Sequence, residues 1–153
     1  MKKIIIITIF LITSLFMFIG CKKEDNNKQN ENIINEKEDE KMVTDIKVII
    51  NNKTYTLRLE NNETVSEFVK LLPIEVTMNE LNGNEKYVYL DNTLPTNSYS
   101  PKHINKGDVY LYGNNCLVIF YKSFDTSYTY TKIGHIDNLD DFDNSNILVK
   151  FEK

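Results

Sequence analysis

The chain has 153 residues, a net charge of −4 and two cysteines, which leaves room for one ordinary domain and excludes a disulfide-stapled framework. Its lysines are scattered, with no basic stripe for nucleic acid and no polybasic patch for a lipid surface, so neither partner is expected of the domain itself.

Met1-Lys2-Lys3 puts two positive charges ahead of Ile4 to Gly20, an uncharged and almost wholly apolar run that ends at Cys21. That order is a secretion leader's. The run is short for a membrane span, which needs roughly 20 apolar residues. Phe18-Ile19-Gly20-Cys21 resembles the lipobox of bacterial lipoproteins. The resemblance implies cleavage after residue 20, acylation of Cys21 and a lipid-anchored, extracytoplasmic place in the bacterial cell envelope. Phe18 departs from the usual leucine, and an uncleaved signal anchor would leave the domain on the same side of the membrane. Residues 21–44 then read KKEDNNKQNENIINEKEDEKMVT after the cysteine. This is too polar to offset the entropy of ordering it, so a solvated tether with a reach of about 25 Å is expected.

Residues 45–153 are expected to form one domain with a single core. Ile46, Val48 and Ile50 alternate with their neighbours, as do Tyr55, Leu57 and Leu59, and Asn51-Asn52 stands between them. Two period-2 runs around an Asn-Asn pair predict a β-hairpin. Thr64-Val65-Ser66-Glu67 fits a capping box. Val65, Phe68, Val69 and Leu72 follow at helical spacing until Pro73. Beyond Pro73 the sequence predicts strands at 74–78, 86–90, 108–112, 116–121, 127–136 and 147–151, with a long loop at 92–106. About eight short strands at even spacing, with one or two short helices, predict a mostly-β barrel or sandwich.

These elements carry a resemblance. The hairpin, the helix ending Leu71-Leu72-Pro73, Glu80-Leu81-Asn82-Gly83, Leu94-Pro95, Gly107-Asp108-Val109-Tyr110-Leu111-Tyr112, Ile119-Phe120-Tyr121 and Tyr130-Thr131-Lys132-Ile133-Gly134-His135-Ile136 together resemble the bacterial cyclophilin-like domain family. The resemblance implies a closed eight-stranded cyclophilin-like β-barrel and no settled activity. Cyclophilins proper are prolyl isomerases that hold the substrate with a groove arginine. Here the one arginine of the domain, Arg58, precedes the helix, and Lys86 to Leu90, where the arginine belongs, contains none. Lysine, a flexible point charge, does not replace a planar fork. The expectation is a non-catalytic module with no catalytic residues, and a degenerate prolyl isomerase is the alternative.

Cys116 begins an apolar run, Cys-Leu-Val-Ile-Phe, with no cation beside it in sequence. It is expected to be barrel wall and not a nucleophile. In that run Cys116, Val118 and Phe120 should share one face and Leu117, Ile119 and Tyr121 the other. Nine tyrosines, most of them in the predicted strands, admit two readings. They are half-buried β-formers, or they line a shallow groove for a peptide or small ligand. The groove reading singles out Tyr87, Tyr89, Tyr112, Phe120, Tyr128 and Tyr130. No cofactor or metal is expected. His103 and His135 have no histidine or carboxylate at a ligand spacing. Asp141, Asp143, Ser145 and Glu152 have calcium-loop spacing, but Asn146 stands where such a loop needs glycine.

Overall fold

The computed structural model describes residues 43–153. The leader, Cys21 and the tether up to residue 42 lie outside the described residues. The elements are β1 (Asp45–Ile50), β2 (Lys53–Leu59), α1 (Glu63–Lys70), β3 (Ile74–Leu81), β4 (Glu85–Tyr89), β5 (His103–Ile104), β6 (Asp108–Tyr112), β7 (Cys116–Phe120), β8 (Phe124–Asp125), β9 (Thr131–Ile136) and β10 (Ile147–Glu152). Eight strands close into a barrel in the order β1-β10-β3-β4-β7-β6-β9-β2, while β5 and β8 form a separate two-stranded ribbon. The expected closed barrel is present, with one helix among the described residues.

The first hairpin forms as the sequence predicts, pairing Ile50 with Lys53 through Ile46 with Leu57. Asn51 and Asn52 both take positive φ, 48° and 67°, the conformation a two-residue turn requires and asparagine tolerates. Val43 and Thr44, expected in the tether, belong to the domain. Val43 packs against the core, and the Thr44 carbonyl accepts a hydrogen bond from the Leu59 N–H at 2.8 Å.

The helix differs from the expected one at its start. Asn62 is the N-cap, its side-chain oxygen accepting from the Val65 N–H at 2.9 Å. Thr64 lies two residues further on, within the first turn, buried, and its hydroxyl donates to the Pro95 carbonyl at 2.7 Å. Asparagine is the better cap, and the threonine instead ties the 92–106 loop to the helix. The predicted stripe is the buried one. Phe68 is fully enclosed and meets Phe151 edge-on at 5.7 Å, a burial that contributes about 2–3 kcal/mol.

The barrel interior is filled by Val48, Ile50, Leu57, Leu111, Leu117, Ile119, Val149 and Phe151, all essentially inaccessible. A second, smaller core of Ile104, Tyr110, Cys116, Val118, Phe120 and Tyr130 lies on the outer face of β6 and β7. The alternation expected along β7 is therefore observed, and both faces are buried. The second core is roofed by the long loop and by the 124–130 segment. Ile104 of that loop is buried in it, Leu94 packs into the main core, and Tyr99 exchanges backbone hydrogen bonds with Tyr130 at 2.9 and 3.0 Å. The strand predicted at 127–136 forms only from Thr131, because Tyr130 is held to Tyr99 as an isolated bridge.

Candidate functional site

On the outer face of the barrel, register fixes three rows of side chains. Tyr89 stands opposite Cys116 and Cys116 opposite Tyr112, while Tyr87 stands opposite Val118 and Glu85 opposite Phe120. Strand period 2 puts Glu85, Tyr87 and Tyr89 on one face of β4. The 124–130 segment adds Tyr128 and Tyr130 beyond Tyr112. The result is a groove of about 260 Å³ lined by Leu81, Asn82, Glu85, Tyr87, Tyr89, Tyr112, Cys116, Val118, Tyr128 and Tyr130.

Its walls are braced tyrosines. Tyr87 and Tyr89 pack edge to face at 5.9 Å on the β4 side. Tyr112 meets Tyr128 at 6.1 Å and Tyr130 at 5.6 Å on the other. Tyr89, Tyr112 and Tyr128 remain 65%, 44% and 62% exposed, so their rings are presented to solvent, whereas Tyr130 is 5% exposed and supports them from below. Such rings offer a large apolar face at little conformational cost.

Phe120, expected in the groove, is a correction: it is 0% exposed and does not line it. It lies beneath, against Tyr110, Phe124 and Tyr130 at 5.5–6.1 Å between ring centres. The 124–130 segment covers its end of β7, while the Cys116 and Val118 end stays open. Cys116 is buried in the floor. Burial, with the Glu85 carboxylate adding to it, pushes its thiol up to about 11 against an opposing hydrogen bond with Tyr89. A protonated thiol in an apolar wall is no nucleophile at neutral pH.

Glu85, Leu81 and Asn82 complete the groove and were not foreseen. Burial first, then the nearby Glu80 carboxylate, pushes Glu85 from the ordinary 4.5 up to about 7. A carboxyl raised in this way favours the folded state when protonated. Its contribution is fully present below the unfolded-state value and is lost as pH rises through about 7. Glu85→Gln is therefore expected to be more stable than the natural protein above neutrality, by about 2 kcal/mol after allowance for partial exposure, with the difference vanishing near pH 4. Urea unfolding of both proteins across that range checks it.

The next residue, Lys86, points the opposite way, into the barrel. It is fully buried, donating to Glu80 at 2.6 Å and to the carbonyls of Asp143 and Ser145 at 2.6 and 2.7 Å. No lysine or arginine lines the groove among the described residues. Arg58 is on β2, paired with Asp137. Both histidines do find carboxylates, brought from distant sequence by the fold: His103 Nδ1 is 2.6 Å from Asp125 across the β5–β8 ribbon, and His135 Nδ1 is 3.0 Å from Asp108. Neither pair reaches the groove. The calcium-loop spacing does not converge: Glu152 pairs with Lys47 and Lys150, Asp141 with Lys106, and Asp143 with Ser145.

Comparison with known proteins agrees with this architecture. A search of curated proteins gives no match. The solution structure of the hypothetical protein AF2241 from Archaeoglobus fulgidus is similar, with 20% sequence identity and a TM-score of 0.56, over 71% of this chain and 93% of that one; at that identity the likeness is one of fold. The family model described as the Cyclophilin-like family matches residues 48–152, from within β1 to the end of β10, and the chain belongs to that family.

Proposed function

We propose that the protein is a lipoprotein of the bacterial cell envelope, anchored outside the cytoplasmic membrane by lipid on Cys21, whose barrel is a non-catalytic module that binds a peptide or small ligand. The observation that carries the reading is the groove of five tyrosines, three with exposed rings, over a Cys116–Val118 floor. A concave site that sets aromatic faces beside polar tips and one carboxyl is suited to holding a ligand in a fixed orientation. The lining holds no arginine and no activated nucleophile, which favours binding over turnover.

Prolyl-peptide exchange followed by NMR, with the amide signals of the full chain observed in the same sample, tests it. The expected result is localised shifts at β4, β6 and residues 128–130 without catalysed cis/trans exchange, and about tenfold weaker binding for Tyr89→Ala or Tyr112→Ala, as for aromatic anchors elsewhere. Catalysed exchange would replace the proposal with a degenerate prolyl isomerase, the reading the family resemblance keeps open. Acylation of Cys21 is tested separately, by mass spectrometry of the membrane-associated protein. An unmodified Cys21 would remove the lipid anchor, leaving an uncleaved signal anchor as the alternative, and would not touch the groove.

A further inference from the structure

We propose that the groove recognises an alkylammonium group, with the tyrosine rings enclosing the cation and Glu85 as its counter-ion. The inference rests on the reading of the groove as a binding site and names the chemistry of what it holds.

Three observations point to a cation. Aromatic faces carry negative potential, and rings placed around one space attract an alkylammonium ion. Here Tyr87 and Tyr89 stand on one side and Tyr112 and Tyr128 on the other. Glu85 is the one charged residue of the lining. Among the described residues its carboxyl has no hydrogen bond and no ion pair, although it is half-buried. Its neighbour Glu80 shows how this chain treats a carboxylate it means to satisfy: that group accepts from Lys86, from the Tyr121 hydroxyl at 2.8 Å and from the Gly83 N–H at 2.6 Å. Lys86 could have served Glu85, but strand alternation turns it to the other face of β4. A half-buried carboxyl without a partner is disfavoured when ionised, and a cation arriving with the ligand supplies the partner that the protein withholds. At about 260 Å³ the space accommodates one such group and a short alkyl chain.

The titratable groups around Glu85 are Cys116 of β7, Tyr87 of its own strand and Tyr130 in the groove, with Glu80 of β3 acting through its charge from the other face. Cys116 and Tyr130 are both raised by burial, and stay neutral at pH 7. Glu85 is thus the group that titrates in the groove near neutrality. If the cation binds only the ionised carboxylate, apparent affinity scales with the ionised fraction, and should rise about twentyfold from about pH 5.5 to about pH 7.5.

The test is NMR titration of the full chain with n-butylammonium, N-acetyl-lysine methylamide, and their neutral counterparts 1-butanol and the Nε-acetylated lysine derivative. Saturable shifts at Tyr89, Tyr112 and Tyr128 are expected for the two cations, with the neutral compounds and the Glu85→Gln variant at least tenfold weaker. A lysine derivative that binds much more tightly than butylammonium would identify the source as a peptide side chain; equal affinities would identify a free amine. Either ordering supports the inference. Equal binding of charged and neutral compounds, or affinity unchanged by pH and by Glu85→Gln, would overturn it and leave the groove a binding site of other specificity. No shift in the groove with any compound here or with prolyl peptides would overturn both readings.

Discussion

Lys86→Met is expected to lower the free energy of unfolding by about 3–5 kcal/mol, the loss seen when one partner of a buried ion pair is removed. The ammonium group has three protons and uses all three, on Glu80 and on the carbonyls of Asp143 and Ser145. Its nitrogen also lies 5.2 Å from the centre of the Tyr121 ring. Methionine fills similar volume but leaves two carbonyls and a carboxylate short of a donor. Burial works to raise the Glu80 carboxyl, yet hydrogen bonds from Lys86, Tyr121 and the Gly83 N–H outweigh it and hold the group below the ordinary carboxylate range. Removal of the lysine hands the advantage to burial. Lys86→Met combined with Glu80→Gln should therefore cost less than the sum of the two single changes, by about 1–3 kcal/mol. Strict additivity in urea unfolding would show that the two groups are not coupled. The consequence reaches the groove, because Glu80 and Lys86 pair across β3 and β4 and the opposite face of β4 carries Glu85, Tyr87 and Tyr89.

Much of the barrel was legible because its strands obey period 2. The Asn51-Asn52 turn, the alternation in β1 and β2 and the doubly apolar β7 each translate directly into structure. What the sequence did not disclose depended on long-range contact. Asn62 caps the helix because Thr64 is drawn to Pro95, a residue whose position only the folded loop determines. β5 and β8 have two residues each, too short for any periodicity to register. The 127–136 segment has strand-forming residues throughout, but its first part is claimed by Tyr99 of the long loop.

The site was legible in part for the same reasons. An excess of tyrosines in strands marked the groove, and five of the six aromatic residues singled out do line it. Phe120 was included because β7 is apolar on both faces, and composition cannot say which end of a strand another segment will cover. Glu85 was missed by one residue. A strand begun at Lys86 leaves it out, whereas β4 begins at Glu85, and Glu85-x-Tyr87-x-Tyr89 then falls on a single face. That spacing was readable. The burial that moves the carboxyl toward neutrality was not, since its cross-strand neighbours, Leu81 of β3 and Phe120 of β7, are set by the folded sheet.

Gly134→Ala is expected to destabilise the protein by about 3 kcal/mol or more, a large share of a typical folding margin of about 5–15 kcal/mol. A Cβ at residue 134 would lie 2.1 Å from the Arg58 carbonyl oxygen and 2.8 Å from Leu57 Cδ1. The first of these is backbone and cannot be relieved by a rotamer change. Gly134 stands between Leu59 of β2 and Val109 of β6, beside the irregularity where the register shifts between Val109 and Tyr110. The β2–β9 seam that closes the barrel consists of Leu57 with Ile136, Arg58 with His135 and Leu59 with Gly134. Displacing Arg58 therefore strains the whole closure. Gly113→Ala provides the contrast, because Gly113 has φ +60° and nothing within 4 Å of an added Cβ. There the cost is conformational alone, about 1–2 kcal/mol, and asparagine, which this chain already uses at positive φ at residues 51, 52 and 82, should recover most of it. At residue 134 asparagine should recover nothing, because the obstacle is a neighbouring strand. Equal thermal destabilisation by the two alanine substitutions would show that close strand approach at the seam is not what requires glycine there.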